Sequence, residues 1–204
     1  MTDNYHVVLI GGIPGVGKSS ISGYIARELG IDIVLSGDYL REFLRGSCQE
    51  NTDLLGVSVY DSWQLFGSMN RENIVKGYVE QGKVITRGIN AILKRAISNG
   101  ESVIVETLYF LPSLIGDDIL KNITPLYLYI SDKKINEARL LERTKYTHLK
   151  SSGERLARQL DTYRVMMDYS LEECKRFGIK TFDNTDYIKT RESMLRYLSG
   201  GTDG

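Results

Sequence analysis

Five short runs of apolar or β-branched residues are long enough for strands. They occupy residues 6–10, 31–35, 102–105, 125–130 and 179–182. Longer stretches with apolar residues at helical spacing, or irregular inserts, separate these runs. Because strands that alternate with helices form parallel sheets between two helical layers, the pattern predicts an α/β fold with helices on both faces.

Two of the intervening stretches predict long helices. Apolar positions from Ile74 to Ala96 form one stripe, which predicts a long or kinked helix that ends at Gly100. A second stripe predicts a helix from about 154–177 with Gly178 as its terminator. Its apolar face is expected in the core and consists of Leu156, Leu160, Tyr163, Met167, Leu171 and Cys174.

Length and charge restrict the class of protein. A chain of 204 residues with 42% hydrophobic content can bury one core, so we expect a single domain over 1–200 and a flexible tail at 201–204. Lys+Arg and Asp+Glu are both 26, which argues against nucleic-acid or membrane partners. Cys48 and Cys174 are expected to be free thiols, and no signal peptide or membrane span is recognisable. A cytoplasmic monomer or homodimer is the expectation.

The segment GGIPGVGKSS at 11–20 lies between the first strand and a helix. Its glycines allow backbone N–H groups to converge on phosphate oxygens, at the positive end of the helix dipole. Lys18 is expected to reach the terminal phosphates, and the hydroxyl of Ser19 to ligate Mg²⁺. An ordinary glycine turn is the alternative, although both flanks fit a phosphate loop. The predicted ATP-binding residues are Gly12, Pro14, Gly15, Val16, Gly17, Lys18, Ser19 and Ser20.

The second strand ends in SGDYLREFLR, at residues 36–45. Ligands of parallel sheets bind at the carboxyl ends of strands, so Asp38 is expected beside the phosphate loop. Asp38 is either a helix cap or the catalytic group that orients a substrate hydroxyl. Arg41 and Arg45 follow on the same helical face and are predicted to bind an anionic group of the substrate. A solvated helix with a cap is the alternative.

The third strand, SVIVET, ends in a carboxylate. Glu106 is predicted to act near the metal together with Ser19, by holding a magnesium-bound water. Tyr109 lies in the loop that follows and is a candidate wall of the substrate pocket. The irregular stretch at 38–70 predicts an insert on the substrate side.

Residues 132–152 contain a basic helical pattern directly after the fourth strand. Arg139 and Arg143 are spaced i, i+4, and we predict a lid that brings their charge to the phosphoryl group during its transfer. The alternative is a surface helix whose charge Glu137 and Glu142 offset.

Taken together, these segments resemble the nucleoside-monophosphate-kinase-like group of phosphate-loop kinases. More narrowly, nearly the whole chain resembles the 2-phosphoglycerate kinase family. The segments GINAILKRAISNGESVIVE, at 88–106, and FDNTD, at 182–186, add to the resemblance. The family implies a five-stranded parallel sheet, ATP with Mg²⁺, and phosphoryl transfer to a hydroxyl of a small anionic acid.

Two positions depart from the family pattern. Thr107 and Tyr109 stand where the family has glycine and histidine. A neutral tyrosine makes the pocket more apolar than a histidine would. The departure favours a bulkier, more aliphatic acceptor that carries a carboxylate, a phosphate, a methyl-bearing carbon and a primary hydroxyl. The acceptor 2-phosphoglycerate is the alternative.

Three other classes compete with a small-molecule kinase. A GTP switch is disfavoured because no Asn-Lys-x-Asp stretch follows a strand. A kinase of nucleic acids is disfavoured by the balanced charge. A non-catalytic nucleotide-binding regulator would keep the phosphate loop but would not need Asp38 and Arg41 at the second strand.

Overall fold

One parallel sheet forms the centre of the protein. The computed structural model describes residues 5–47, 52–145, 150 and 153–200. The strand order is β2-β3-β1-β4-β5 and every pairing is parallel. The predicted five-stranded sheet is confirmed, and no strand end moves by more than two residues. The strands are β1 (Val7–Gly11), β2 (Ile33–Ser36), β3 (Val103–Thr107), β4 (Thr124–Tyr129) and β5 (Lys180–Asp183).

Helices cover both faces of this sheet, as predicted. They are α1 (Lys18–Leu29), α2 (Gly37–Ser47), α3 (Thr52–Gly56), α4 (Arg71–Asn99), α5 (Asp117–Leu120), α6 (Lys133–Leu141), α7 (Glu154–Arg158), α8 (Leu160–Phe177) and α9 (Tyr187–Leu198). Short 3-10 turns occupy Val59–Leu65, Pro112–Leu114 and Arg143–Lys145. Helix α1 packs with α9 on one face, and α4 packs with α8 on the other.

Burial follows the position of each strand in the sheet. Every residue of the central strand β1 and of its neighbour β3 is buried. Strand β2 lies at the edge, where Ile33 and Val34 are 42% and 41% exposed. The strands that carry the nucleotide loop and the acidic strand end therefore belong to the rigid centre of the core.

The predicted long helix is confirmed as one continuous helix, α4. The side chain of Asn70 caps its first turn by accepting a hydrogen bond from the backbone N–H of Asn73 at 2.8 Å. Gly100 ends it in the left-handed conformation, with φ of 65°.

The single helix predicted over 154–177 is wrong, because the chain breaks at Gln159 into α7 and α8. The break allows α7 to pack against α6 while α8 packs against α4. Gly153 permits this contact, since a Cβ at that position would collide with the backbone of Leu140. The predicted core face is nevertheless confirmed: five of its six residues are buried and Leu171 is partly buried.

Some predictions fall on residues outside the described part of the chain. These are Cys48, the tail at 201–204, and the lid positions 146–149 and 151–152. Cys174 is a free, buried thiol, and burial raises its pKa to about 12. Over the described ranges, no helix combines the length and the apolar character that a membrane span requires.

Candidate active site

The phosphate loop joins the end of β1 to the start of α1, in the order predicted. Gly12, Gly15 and Gly17 have φ of 154°, 80° and 91°. These angles lie in the region that favours glycine, so the expected backbone conformation is confirmed. Gly17 is the N-terminal boundary residue of α1, and the helix starts at Lys18 with its amide groups at the loop. The loop therefore presents the donors and the dipole that an anion requires.

Two buried asparagines hold the loop from its outer side. Asn136 of α6 donates its Nδ2 to the carbonyl of Pro14 at 3.3 Å. Asn184, at the end of β5, donates its Nδ2 to the carbonyl of Val16 at 2.7 Å. Both side chains are fully buried. The sequence pattern missed their role: Asn184 lies in the FDNTD segment, whereas nothing in the sequence distinguishes Asn136.

Helix α6 lies directly against the phosphate loop. A Cβ at Gly15 would be 2.7 Å from Cγ of Leu140 and 2.8 Å from Nδ2 of Asn136. Because α6 contacts the loop at this distance, it forms one wall of the site. The first part of the predicted lid is thus packed on the loop.

The hydroxyl of Ser19 and the carboxylate of Glu106 meet at the sheet edge. Ser19 Oγ lies 2.8 Å from Oε1 and 3.0 Å from Oε2 of Glu106, and it donates to that carboxylate. The register of the sheet causes this contact, since Ile10 of β1 pairs with Glu106 of β3. A hydroxyl beside a carboxylate is a donor set that suits Mg²⁺. The structure thus brings together the two residues predicted to hold the metal.

The Lys18 side chain is bound to the loop, and the charges of two carboxylates act on it. Its Nζ donates to the carbonyl of Ile13 at 3.2 Å. Loss of hydration lowers the pKa of Lys18, and the charges of Glu106 and Asp38 oppose this shift. The ammonium group therefore lies where the negative charge of a phosphate would stabilise it.

Asp38 lies in the first turn of α2, at the carboxyl end of β2. The cap of this helix is Ser36, whose Oγ accepts a hydrogen bond from the backbone N–H of Asp38 at 3.3 Å. The carboxylate of Asp38 is exposed and lines the cleft. Of the two roles considered from the sequence, the structure gives the cap to Ser36 and leaves Asp38 free to face a substrate.

A cleft of about 550 Å³ joins these groups. Its lining also includes Leu108 and Tyr187, which the sequence pattern did not single out as site residues. Most of the predicted nucleotide and catalytic residues line this cleft, namely Pro14, Gly15, Gly17, Lys18, Ser19, Ser20, Asp38, Arg139 and Arg143.

The two arginines of the predicted lid lie at different places in the cleft. Arg139 donates to the carbonyl of Thr185 at 3.1 Å. Burial lowers the pKa of Arg139, and the charges of Asp183 and Asp186 oppose that shift. Arg143 instead interacts with Asp38, whose charge opposes the lowering of its pKa by burial.

Arg41 and Arg45 do not line the cleft. Arg41 donates its Nη2 to the carbonyls of Leu55 and Val57, at 2.7 Å each. Its side chain is 15% exposed, and Arg45 pairs with Glu42 at the surface. Both guanidinium groups are therefore engaged with the protein, and their predicted contact with substrate stays a prediction.

Tyr109 lies beneath the site, and the structure does not bring it to the cleft wall. It is 2% exposed, and its hydroxyl donates to Oε1 of Gln81 at 2.6 Å. Gln81 donates its Nε2 to the carbonyls of Leu54 at 2.6 Å and Val57 at 3.1 Å. Burial raises the pKa of Tyr109, so its hydroxyl stays protonated and remains a donor. Sequence reasoning missed Gln81, because its partners come from distant segments.

Comparison with known proteins gives a consistent picture. The profile of the family described as AAA domain matches residues 11–154. The mevalonate-3-phosphate 5-kinase of Thermoplasma acidophilum is 47% identical over 192 residues, which cover 94% of this chain and 95% of that protein. The 2-phosphoglycerate kinase of Pyrococcus horikoshii is 32% identical over 93% of this chain, which spans 62% of that longer protein.

Solved structures share the fold at low sequence identity. Shikimate kinase from Acinetobacter baumannii has a TM-score of 0.55 and 14% identity, and the match covers 97% of this chain and 95% of that chain. A gluconokinase from Sinorhizobium meliloti has a TM-score of 0.54 and 17% identity, over 96% and 92%. The chain therefore belongs to the AAA domain family and, within it, to the phosphate-loop kinases that include its mevalonate-3-phosphate 5-kinase and 2-phosphoglycerate kinase relatives, as an ATP-dependent phosphotransferase that acts on a hydroxyl group.

Proposed function

We propose that the protein transfers the γ-phosphoryl group of ATP to the primary hydroxyl of mevalonate 3-phosphate, in the mevalonate route to isoprenoids. The observation that carries this proposal is the cleft in which Lys18 of the phosphate loop and Asp38 of the neighbouring strand end face the same space. The choice of acceptor rests on the relative that is 47% identical over nearly the full length of both chains.

On the donor side, the loop amides and Lys18 bind the phosphates of ATP. Arg139 and Tyr187 border the end of the cleft near the β5–α9 loop and would hold the base and ribose. Ser19 and Glu106 fit Mg²⁺, since they supply a hydroxyl and a carboxylate in contact. When bound, the ion would neutralise phosphate charge.

On the acceptor side, Asp38 orients the hydroxyl and accepts its proton. The hydroxyl oxygen forms a bond to the γ-phosphorus while the bond from that phosphorus to the oxygen of ADP breaks. The products are ADP and a phosphate ester, and the proton passes from Asp38 to water. Lys18 and Arg143 lie on the cleft wall where they can stabilise charge on the phosphoryl group during transfer.

A second candidate acceptor is 2-phosphoglycerate. It is favoured by the relatives of that name, which are 32% identical or less and of which this chain spans about 60% to 66%. The two acceptors share a carboxylate, a phosphate and a primary hydroxyl. Both would be handled by the same groups of the cleft.

The acceptor can be tested with purified protein in a coupled assay of ADP release. Mevalonate 3-phosphate, 2-phosphoglycerate and nucleoside monophosphates are compared at equal concentrations. We expect kcat/KM to be at least about a hundredfold higher for mevalonate 3-phosphate, because the shared groups are spaced differently along the two carbon chains and a site built for one spacing leaves polar groups unpaired with the other. Selective turnover of 2-phosphoglycerate would refute this choice of acceptor and retain the kinase.

A further inference from the structure

Two arginines at the end of α6 and the start of α7 keep N–H donors that the protein does not use. Within the described ranges, Arg143 and Arg155 form no ion pair and no hydrogen bond. Arg143 is half-buried and lines the cleft, whereas Arg155 is exposed. Other arginines in or near the cleft are already engaged, as Arg139 is with one carbonyl and Arg41 with two. Arg143 and Arg155 are therefore free to bind an anion.

The contact between α6 and α7 brings these two residues to one place. Arg143 follows the end of α6, and Arg155 is the second residue of α7. The start of α7 lies against the backbone of Leu140, because Gly153 has no side chain. Burial lowers the pKa of Arg143, the charge of Asp38 opposes this shift, and the charge of Arg155 adds to it. Two like charges in this arrangement repel until an anion lies between them.

An aromatic wall orients Arg155. Its guanidinium lies over the ring of Tyr60, 5.9 Å from the ring centre. Tyr60 contacts Tyr163 edge to face, with ring centres 5.8 Å apart, and both rings are buried. A guanidinium that an aromatic ring attracts in this way forms no hydrogen bond with the ring edge, so its N–H donors remain available for an anion.

The same wall connects Arg155 to the acceptor side of the cleft. Burial raises the pKa of Tyr163; the charge of Asp38 adds to this shift, and the charge of Arg155 opposes it. Tyr163 is thus close to both groups, and Asp38 lines the same cleft as Lys18. An anion held by Arg143 and Arg155 would therefore belong to the acceptor.

We propose that Arg143 and Arg155 bind the phosphate group that the acceptor already carries, with Tyr60 and Tyr163 as the wall of this subsite. The inference rests on the proposed function, which supplies a phosphorylated acceptor. A phosphate dianion matches two guanidinium groups in charge and in the number of acceptor oxygens. Arg143 then positions the acceptor in addition to stabilising the transferred group, whereas Arg155 has no part in the transfer and determines that the acceptor must be phosphorylated.

A comparison of two acceptors tests the subsite. Mevalonate 3-phosphate and mevalonate differ only in the phosphate, and the ratio of their kcat/KM values measures its recognition. We expect Arg155→Ala to reduce this ratio at least tenfold and Arg155→Lys to reduce it less, since lysine keeps the charge without the fork. The matched control is Arg158→Ala, which removes an exposed arginine of the same helix and should leave the ratio within twofold. An unchanged ratio in Arg155→Ala would overturn the proposal.

A binding measurement separates this inference from the identity of the acceptor. The phosphate loop is first filled with a nonhydrolysable ATP analogue and Mg²⁺, and inorganic phosphate is then titrated while the melting temperature is followed. We expect phosphate to raise the melting temperature of the wild type and of Arg158→Ala. In Arg155→Ala, most of this increase should be lost. Equal stabilisation of all three proteins, or of none, would refute the subsite even if mevalonate 3-phosphate is the acceptor. If another phosphorylated acid proves to be the acceptor, a loss of phosphate stabilisation in Arg155→Ala alone would still support the subsite.

Discussion

The hydroxyl of Ser19 lies 2.8 Å from Oε1 and 3.0 Å from Oε2 of Glu106. Ser19 is in the first turn of α1, which follows β1 and the phosphate loop, and Glu106 is near the end of the adjacent strand β3. Glu106 is 7% exposed, so its charge has little hydration of its own. In the protein without nucleotide, the serine hydroxyl provides the donor that this carboxylate needs. A cation at the same place would replace that donor, and the pair therefore predicts a metal-dependent phenotype.

Substitution Glu106→Gln keeps the size of the side chain and removes its charge. We expect the Mg²⁺ concentration for half-maximal rate to rise at least about tenfold and kcat to fall about a hundredfold, since the affinity of a metal depends on its direct ligands and on the groups that hydrogen-bond to them. A titration of Mg²⁺ in the coupled assay measures both. Glu101→Gln, two residues before the start of the same strand, is the control. A Mg²⁺ dependence that matches the control would exclude Glu106 from the metal site.

Substitution Asp38→Asn tests the acceptor side. Because Ser36 caps α2, loss of the Asp38 charge should leave the helix and ATP binding intact within a few-fold. Phosphoryl transfer should fall by about two orders of magnitude or more, since the group that accepts the hydroxyl proton is lost. Binding of a fluorescent ATP analogue and single-turnover rates distinguish the two effects, with Asp32→Asn as the control. Weak ATP binding with normal turnover would mean that Asp38 is structural.

The sheet and the phosphate site were predictable because their signals are local. A buried strand appears in the sequence as an apolar run. The glycines at 12, 15 and 17 have positive φ, as expected for a phosphate loop with their spacing. The meeting of Ser19 with Glu106 was also predictable, because the carboxyl ends of parallel strands share one edge.

The remaining parts of the site depend on tertiary partners that no local pattern encodes. The arginine at 41 has the spacing of a substrate anchor, yet the carbonyls of Leu55 and Val57 occupy its donors. The helical pattern over 154–177 runs through Gln159 without interruption, but the separate packing of α7 and α8 breaks the helix there. Gln81 acquires its role from two segments that are far from it in the chain, one at Leu54 and Val57 and the other at Tyr109.

Gln81 is predicted to hold the acceptor side of the cleft. It and Arg41 donate to the same carbonyl, that of Val57, so together they tie α2, which carries Asp38, to α4. Substitution Gln81→Leu leaves the Val57 carbonyl with Arg41 but deprives the Leu54 carbonyl and the buried Tyr109 hydroxyl of their partner, which costs about 1–3 kcal/mol of stability. We expect the acceptor KM to rise about tenfold and the KM for ATP to stay within about twofold, since only the binding of the acceptor is weakened.

Hydrogen exchange gives this prediction a readout that does not need the acceptor. Amides of residues 53–58 should exchange faster in Gln81→Leu than in wild type, because this segment loses its donors. Thr86→Val is the control: it is buried on the same helix, and its hydroxyl has no partner among the described residues. If both KM values rise together, or if exchange changes equally in the control, Gln81 has only a general structural role.

The last prediction concerns the stability of the protein without ATP. Burial lowers the pKa of Lys18 below the ordinary value of 10.5, which means that the folded state disfavours its charge. Between the lowered pKa and 10.5, the unfolded chain binds more protons than the folded one, so the contribution of Lys18 to stability rises with pH across that window. At neutral pH the charge is therefore a net cost to the folded protein.

Substitution Lys18→Met removes this cost along with the catalytic charge. For a chain of this size, a gain of about 1 kcal/mol corresponds to a rise in Tm of about 2–4 °C in the protein without nucleotide. The gain should decrease as the pH rises toward the ordinary pKa of lysine. Saturating ATP and Mg²⁺ should raise the Tm of wild type and of Lys94→Met, an exposed lysine control, but not that of Lys18→Met. Thermal unfolding of the three proteins tests the stability effect: a lower Tm for nucleotide-free Lys18→Met would show that the charges of Glu106 and Asp38 more than compensate the loss of hydration of Lys18. The coupled assay tests the catalytic role: persisting turnover in Lys18→Met would show that Lys18 has no part in the transfer.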